Sequence, residues 1–360
     1  MHILFGAGGT GGHLYPALAV AEALISRVPD IRITFTGRKD KIEGAKVPVF
    51  GFDFLPIDVE SFSITPSIDL LKKATKIYSA KQQIIKFMKR EMCDAVVVAG
   101  AYISLPPGLA ASSLKKPLFC MESNVNPGKA IKYLTAHSTA IFTSFEDSRL
   151  FFPEKHRSKL VFTGNPVRSD FEKLPPKYEA KLNLGFNPDL PLVLLFGGSL
   201  GAESINNFVQ NNLKLLNRND FSVAWQTGSD DKYSMIVKDN IKSYKYIDNM
   251  ALFYAAADLI VSRSGASTVS EQTLTGTPSI LIPLPSASNN EQFKNAEIMK
   301  SVGAACLVQD KDIERDLLDL IFSVIFDKDK LHEMSKNAKK LSMPNAAETI
   351  ADIILNMIKD

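Results

Sequence analysis

Short runs of Val, Ile, Leu and Phe recur along the chain, and most end in glycine, proline or a small polar residue. In the first half they are HILFGAG, RITFTG, DAVVVAG, KPLFCM and TAIFTS. In the second they are PLVLLFGG, FSVAWQTG, DLIVSRSG and PSILIPLP. Within each run the apolar positions are continuous rather than alternating. A strand of that kind is buried on both faces, as in a parallel sheet covered by helices. Helical periodicity fills the intervals, beginning with Leu14 to Arg27. The pattern predicts an α/β chain of two Rossmann-like, doubly wound lobes facing each other across a cleft. Prolines 166, 175 and 176 mark the seam, so 1–165 reads as one lobe and 166–344 as the other. Pro344 ends the last helical pattern, and 345–360 reads as a separate amphipathic helix returning to the first lobe.

Composition narrows the function. The 360 residues are 45% hydrophobic and 22% charged, an ordinary soluble balance. A net charge of +3 is too small for a nucleic-acid binder. Cys93, Cys120 and Cys306 are odd in number and widely spaced, and read as buried free thiols in a reducing compartment. No CxxC or Cys/His pair points to zinc. The N-terminus does not read as a signal peptide, and no apolar run approaches the roughly 18 residues of a membrane span.

The first run ends in five glycines within seven positions, Gly6 to Gly12, followed by His13. Gly6, Gly8 and Gly11 match GxGxxG between a strand and a helix. A dinucleotide site needs an acidic residue about 20 residues on, but the second strand ends TFTGRK, where only Arg38 offers a contact to a 2′-phosphate. What the glycines do allow is close approach of backbone N–H groups to an anion at a helix N-terminus. His13 lies beyond a strand's carboxyl end, where ligands of open α/β sheets bind, and its ordinary pKa suits proton transfer.

The second half carries three further signals. Gly197, Gly198 and Gly201 surround Ser199. The turn Arg263-Ser264-Gly265, with Ser267 and Thr268, forms a diphosphate site at a helix start, and Glu271 one turn on suits a ribose diol. Glu291, Gln292 and Asn295 open another helix with groups that read sugar hydroxyls.

In order along the chain, GAGGTGGHLYPALAVAEAL, GNPVR, GGSLGAESIN, SRSGASTVSE and EQFKNA resemble the MurG family of glycosyltransferases (family 28, GT-B fold). The resemblance covers essentially the whole chain. It implies transfer of N-acetylglucosamine (GlcNAc) from UDP-GlcNAc to the C4 hydroxyl of the N-acetylmuramic acid (MurNAc) unit of undecaprenyl-linked lipid I. The product is β-linked lipid II, for peptidoglycan. It implies His13 and Glu122 as alternative bases, with no metal and no cofactor. Implied donor contacts are Thr10, Gly11, Gly12, Asn124, Arg168, Ser199, Ile247, Met250, Ser264, Ser267, Thr268, Glu271, Gln292 and Asn295. Among these, Ile247 and Met250 meet the uracil, Gln292 and Asn295 the GlcNAc, and Arg168 lies at the interlobe hinge. Implied acceptor contacts are Gly8, Gly9, Gly100, Tyr102 and Ser104.

The chain departs from the family's pattern mainly on the acceptor side. Ala101 replaces a glycine in GAYISLPPG, Met121 and Ser123 replace the His and Gln of HEQN, and Leu200 and Ser267 replace a Gln and a Leu. The segment VESFSITPSIDLL lacks the family's Gly-Leu-Arg-Gly. Two DxD sequences, in VQDKDIE and FDKDKL, read as solvated surface. A lipid acceptor requires membrane access at the cytoplasmic face of the inner membrane. The segment DLLKKATKIYSAKQQIIKFMKR suits it: Leu70, Leu71, Ala74, Ile77, Ile84, Ile85 and Met88 form an apolar stripe. Lys72, Lys73, Lys76, Lys81, Lys86, Lys89 and Arg90 form a basic face for an anionic leaflet. The alternatives are a GT-B transferase with another lipid acceptor such as diacylglycerol, a non-catalytic nucleotide-sugar-binding protein, and an NADP-dependent oxidoreductase.

Overall fold

A computed structural model describes residues 1–60, 68–228, 232–233, 235–238, 240–287 and 290–359, with the side chains of 68–72 and of 238 outside the description. The chain divides into two compact units, Met1–Arg168 with Pro344–Asp360, and Ser169–Met343.

The first unit holds a parallel sheet in the order β3-β2-β1-β4-β5-β6-β7. Its strands are β1 (His2–Gly6), β2 (Arg32–Gly37), β3 (Asp53–Pro56), β4 (Ala95–Val98), β5 (Leu118–Glu122), β6 (Ala140–Thr143) and β7 (Leu160–Phe162). Side chains alternate between two fully buried faces. Ile3, Phe5, Phe35, Val97 and Phe119 pack under the helices Gly11–Arg27 and Ala346–Lys359. Leu4, Val96, Val98, Leu118 and Ile141 pack on the opposite face with Ala80, Ile84 and Met88 of the helix Ile68–Arg90. This double burial is why the strand sequences are continuously apolar. The helix Ala346–Lys359 buries Ala347, Ile350, Ala351 and Ile354. Its Asp352 meets Arg27 at 3.0 Å, a surface pair that contributes at most about 1 kcal/mol.

The second unit repeats the plan in the order β10-β11-β9-β8-β12-β13-β14. Its strands are β8 (Leu192–Phe196), β9 (Ser222–Gln226), β10 (Val237–Lys238), β11 (Ile241–Tyr244), β12 (Leu259–Ser262), β13 (Ser279–Leu281) and β14 (Ala305–Leu307). The two-residue β10 runs antiparallel to β11; the other pairings are parallel. In both sheets the order reverses beside the first strand, between β1 and β4 and between β8 and β12. Ligands of doubly wound sheets bind at such switch points, beyond the strands' carboxyl ends. The two glycine-rich loops emerge there.

Of the predicted apolar stripe, Ile84 and Met88 are buried against the sheet, Ile77 and Ile85 are partly buried, and Ala74 is exposed. Leu70, Leu71 and Lys72 lie outside the described side chains. On the basic face, Lys86, Lys89 and Arg90 are exposed. Lys76 instead pairs with Asp58 and Glu60. Cys93 and Cys120 are buried free thiols, and Cys306 is half-buried.

Candidate active site

In the first unit, β1 delivers the chain into a loop whose shape depends on Glu43. This carboxylate is fully buried. It accepts the Gly9 N–H at 2.9 Å and the Arg38 N–H at 2.9 Å, fastening the loop after β1 to the end of β2. Gly8 is obligatory here, because a Cβ would lie 2.4 Å from Glu43 Cδ and φ is +152°. The Gly9 amide therefore points inward. Beyond it the helix Gly11–Arg27 begins, with the His13 N–H donating to the Thr10 carbonyl at 3.3 Å. Thr10 and Gly12 are exposed there, and Gly11 is buried.

His13 sits in that first turn. Its Nδ1 lies 3.0 Å from Thr10 Oγ1. The other side of its ring rests against Gly100, in the loop after β4. A Cβ on Gly100 would fall 2.8 Å from His13 Cδ2 and 3.0 Å from Nε2. Gly100, with φ +94°, thus makes room for the imidazole. The ring keeps an exposed edge, but the atoms packed around it push its pKa down to about 4. The imidazole is neutral at neutral pH, as a base must be.

The two other predicted groups of this loop behave differently. Ser104 is fully buried and its hydroxyl donates to the Gly100 carbonyl, closing the loop rather than facing a ligand. Tyr102 is half-buried next to Arg38. Glu122 is 4% exposed. Its two oxygens accept the backbone N–H groups of Asn124 at 2.9 Å and Gly128 at 2.8 Å. That geometry shapes the loop after β5. The Asn124 side chain is half-exposed on the same loop. Arg168, which ends the first of this unit's two segments, lies over Tyr15 at 5.0 Å and Phe50 at 6.0 Å.

In the second unit, the loop after β8 carries Ser199, half-buried. Gln226, at the end of β9 and 1% exposed, holds this loop. Its amide donates to the Gly198 carbonyl at 3.0 Å and accepts the Ile247 N–H at 2.8 Å. The Ile247 amide expected to read a uracil is thus engaged by Gln226, and its side chain is buried. Met250 is half-buried and opens the helix Met250–Ala256, capped by Asn249.

After β12, the helix Ala266–Thr275 begins with Ser267 and Thr268 half-exposed. The turn before it is held from several sides. Ser264 is fully buried and donates to the Gln292 carbonyl at 2.8 Å. Asn295, 1% exposed, donates to the Ser264 carbonyl at 3.0 Å. Gln292 Oε1 accepts the Leu284 N–H at 3.0 Å. Ser264 and Asn295 therefore brace the turn from beneath, and Gln292 remains half-exposed. Arg263 joins Ser204, Asp310 and the Ile282 carbonyl. Asp310, expected on the solvated surface, anchors this network instead. Among the described residues no group of three or more His, Cys, Asp or Glu is placed to hold a metal ion.

Two Rossmann-type units, each with a glycine loop and a helix N-terminus at its switch point, make up the GT-B class of fold. Within that class the chain belongs to glycosyltransferase family 28: residues 3–143 match the family's N-terminal domain and 192–350 its C-terminal domain. It is 36% identical, over 100% of its length and 99% of the relative's, to a transferase of Acetivibrio thermocellus. That relative is the UDP-N-acetylglucosamine–N-acetylmuramyl-(pentapeptide) pyrophosphoryl-undecaprenol N-acetylglucosamine transferase. A Parabacteroides distasonis protein of the same name is 34% identical over 99% of this chain and 98% of its own. The crystal structure of Acinetobacter baumannii MurG superposes with a TM-score of 0.72 at 27% identity, covering 99% of each chain.

Proposed function

We propose that the chain moves GlcNAc from UDP-GlcNAc to the C4 hydroxyl of MurNAc in lipid I, inverting the anomeric centre to give lipid II. Full-length likeness to transferases of that name supports the reaction. The observation that carries the mechanism is His13, neutral and wedged between Thr10 and Gly100. With Thr10 Oγ1 accepting from Nδ1–H, the Nε2 lone pair takes the proton of the attacking hydroxyl. The hydroxyl oxygen bonds to the anomeric carbon as the bond from that carbon to the diphosphate breaks. UDP leaves with its charge held by the first-turn amides of Ala266–Thr275, Thr268 and Ser199. An anionic diphosphate near His13 raises its pKa from about 4 toward neutrality, where a base works best. Glu271 accepts the ribose hydroxyls. Glu122 keeps the loop after β5 in shape and takes no proton. UDP release, measured with a short-chain lipid I analogue or with diacylglycerol as acceptor, tests this reading. Release is expected with the lipid I analogue alone; turnover with diacylglycerol alone favours the other lipid transferase.

The acceptor's lipid places the enzyme at the cytoplasmic face of the inner membrane, held peripherally. No described helix is long and apolar enough to cross a membrane. The exposed Lys86, Lys89 and Arg90 give the helix Ile68–Arg90 a basic face for anionic lipid, each residue contributing about 1 kcal/mol near the surface. Replacing Lys81, Lys86 and Lys89 by Glu is expected to abolish flotation with anionic vesicles at moderate salt; unchanged flotation contradicts the attachment.

A further inference from the structure

A buried tyrosine touches the carboxylate assigned to the ribose. Tyr254, on the helix Met250–Ala256, is 2% exposed. Its ring stands edge-on to Phe171 at 5.1 Å and lies 6.2 Å from Phe196. Its hydroxyl donates to Glu271 Oε2 at 3.0 Å. A half-exposed glutamate on a helix samples several rotamers, whereas a ring wedged between aromatic neighbours does not. A buried hydroxyl also needs its partner, so the pair is mutually fixed. Burial and the carboxylate hold the phenol pKa far above its usual value, which keeps the hydroxyl a permanent donor. We infer that Tyr254 is a positioning residue that fixes the Glu271 carboxylate for the ribose of the nucleoside diphosphate. The inference rests on the ribose reading of Glu271 given above.

Tyr254 touches no substrate; it acts by pre-ordering a group that does, which limits the freedom lost when nucleotide binds. Tyr254→Phe keeps the ring between Phe171 and Phe196 and removes the hydroxyl alone. Calorimetry with UDP and 2′-deoxy-UDP on the full chain reads the effect through the ribose. Wild type is expected to prefer UDP by about tenfold, the loss of one hydrogen bond to a charged group. Glu271→Ala is expected to bring the preference close to one. Tyr254→Phe is expected to cut it to about threefold or less, and to change nothing further when added to Glu271→Ala. If Tyr254→Phe keeps the full preference while Glu271→Ala abolishes it, the positioning role is overturned and the ribose reading stands. Equal weakening of UDP and 2′-deoxy-UDP by Tyr254→Phe likewise overturns the positioning role and leaves the ribose reading intact. If Glu271→Ala keeps the preference, the ribose reading falls, and the positioning role with it.

Discussion

The glycine loops after β1 and β8 leave the first strand of their sheets at equivalent places, and each is pinned by one buried side chain from a neighbouring element. Beneath the loop after β1 the pin is Glu43, a carboxylate. Beneath the loop after β8 it is Gln226, a neutral amide. The hydrogen bonding is alike and the charge is not. A buried carboxylate under a loop opposes a second anion placed above it, and the low dielectric of the interior strengthens the opposition. A glutamine supplies the same rigidity without that cost. The second unit is thus the better seat for a nucleoside diphosphate. The first unit adds a titratable base, which the loop after β8 lacks. The proposed division, with proton transfer in the first unit and donor binding in the second, agrees with this difference.

The largest expected effect separates those two roles. His13→Ala is expected to lower kcat by about 10²–10⁴-fold with little change in donor KM, because proton transfer occurs only in the transition state. Steady-state kinetics with the lipid I analogue reads both parameters, and near-normal kcat removes His13 from the base role. Glu271→Ala should do the reverse, weakening UDP binding by about 2 kcal/mol through lost charge-assisted hydrogen bonds; unchanged calorimetric affinity contradicts it.

A smaller effect concerns pH. Burial holds the His13 pKa near 4 against an ordinary 6.5, so on acidification the unfolded chain takes up the proton first. The contribution of neutral His13 to stability is complete above pH 6.5 and is lost as pH falls toward 4. NMR titration of the imidazole in the ligand-free chain should show the low value, and a midpoint at or above 6.5 refutes the burial argument. The smallest effect is at Ala101, with φ +55° and ψ 176°, a conformation that suits glycine. Ala101→Gly is expected to stabilise the chain by about 1 kcal/mol in thermal unfolding; destabilisation shows that the strain is absent.

The strands buried on both faces were legible in the sequence, because they leave continuous apolar runs such as LVLLF and AVVV. The edge strands β3, β7, β10 and β14, two to four residues long, were not, nor was the inner strand β11, Ile241-Lys242-Ser243-Tyr244, which alternates between buried and partly exposed positions. At the proposed site, the sequence singles out His13, Glu271 and the turn at Ser264 because each lies in a loop or helix that follows a strand. The residues that hold them were not. Glu43 lies 34 positions from Gly9, Gln226 lies 28 from Gly198, and Tyr254 lies 17 from Glu271. A single polar residue carries no periodic signal, and only the folded chain shows its partner. The same blindness made Asp310 look like surface and Lys76 look available to lipid. It also hid the donation of the Ser104 and Asn295 side chains to backbone carbonyls.

The stereochemistry of the product is the sharpest test of this chemistry. Incubation of UDP-GlcNAc, ¹³C-labelled at the anomeric carbon, with the short-chain lipid I analogue yields a disaccharide whose linkage NMR can read. A single displacement driven by His13 predicts a β-linked GlcNAc on O4 of MurNAc. An α-linked product, or attachment at any other hydroxyl, contradicts that displacement.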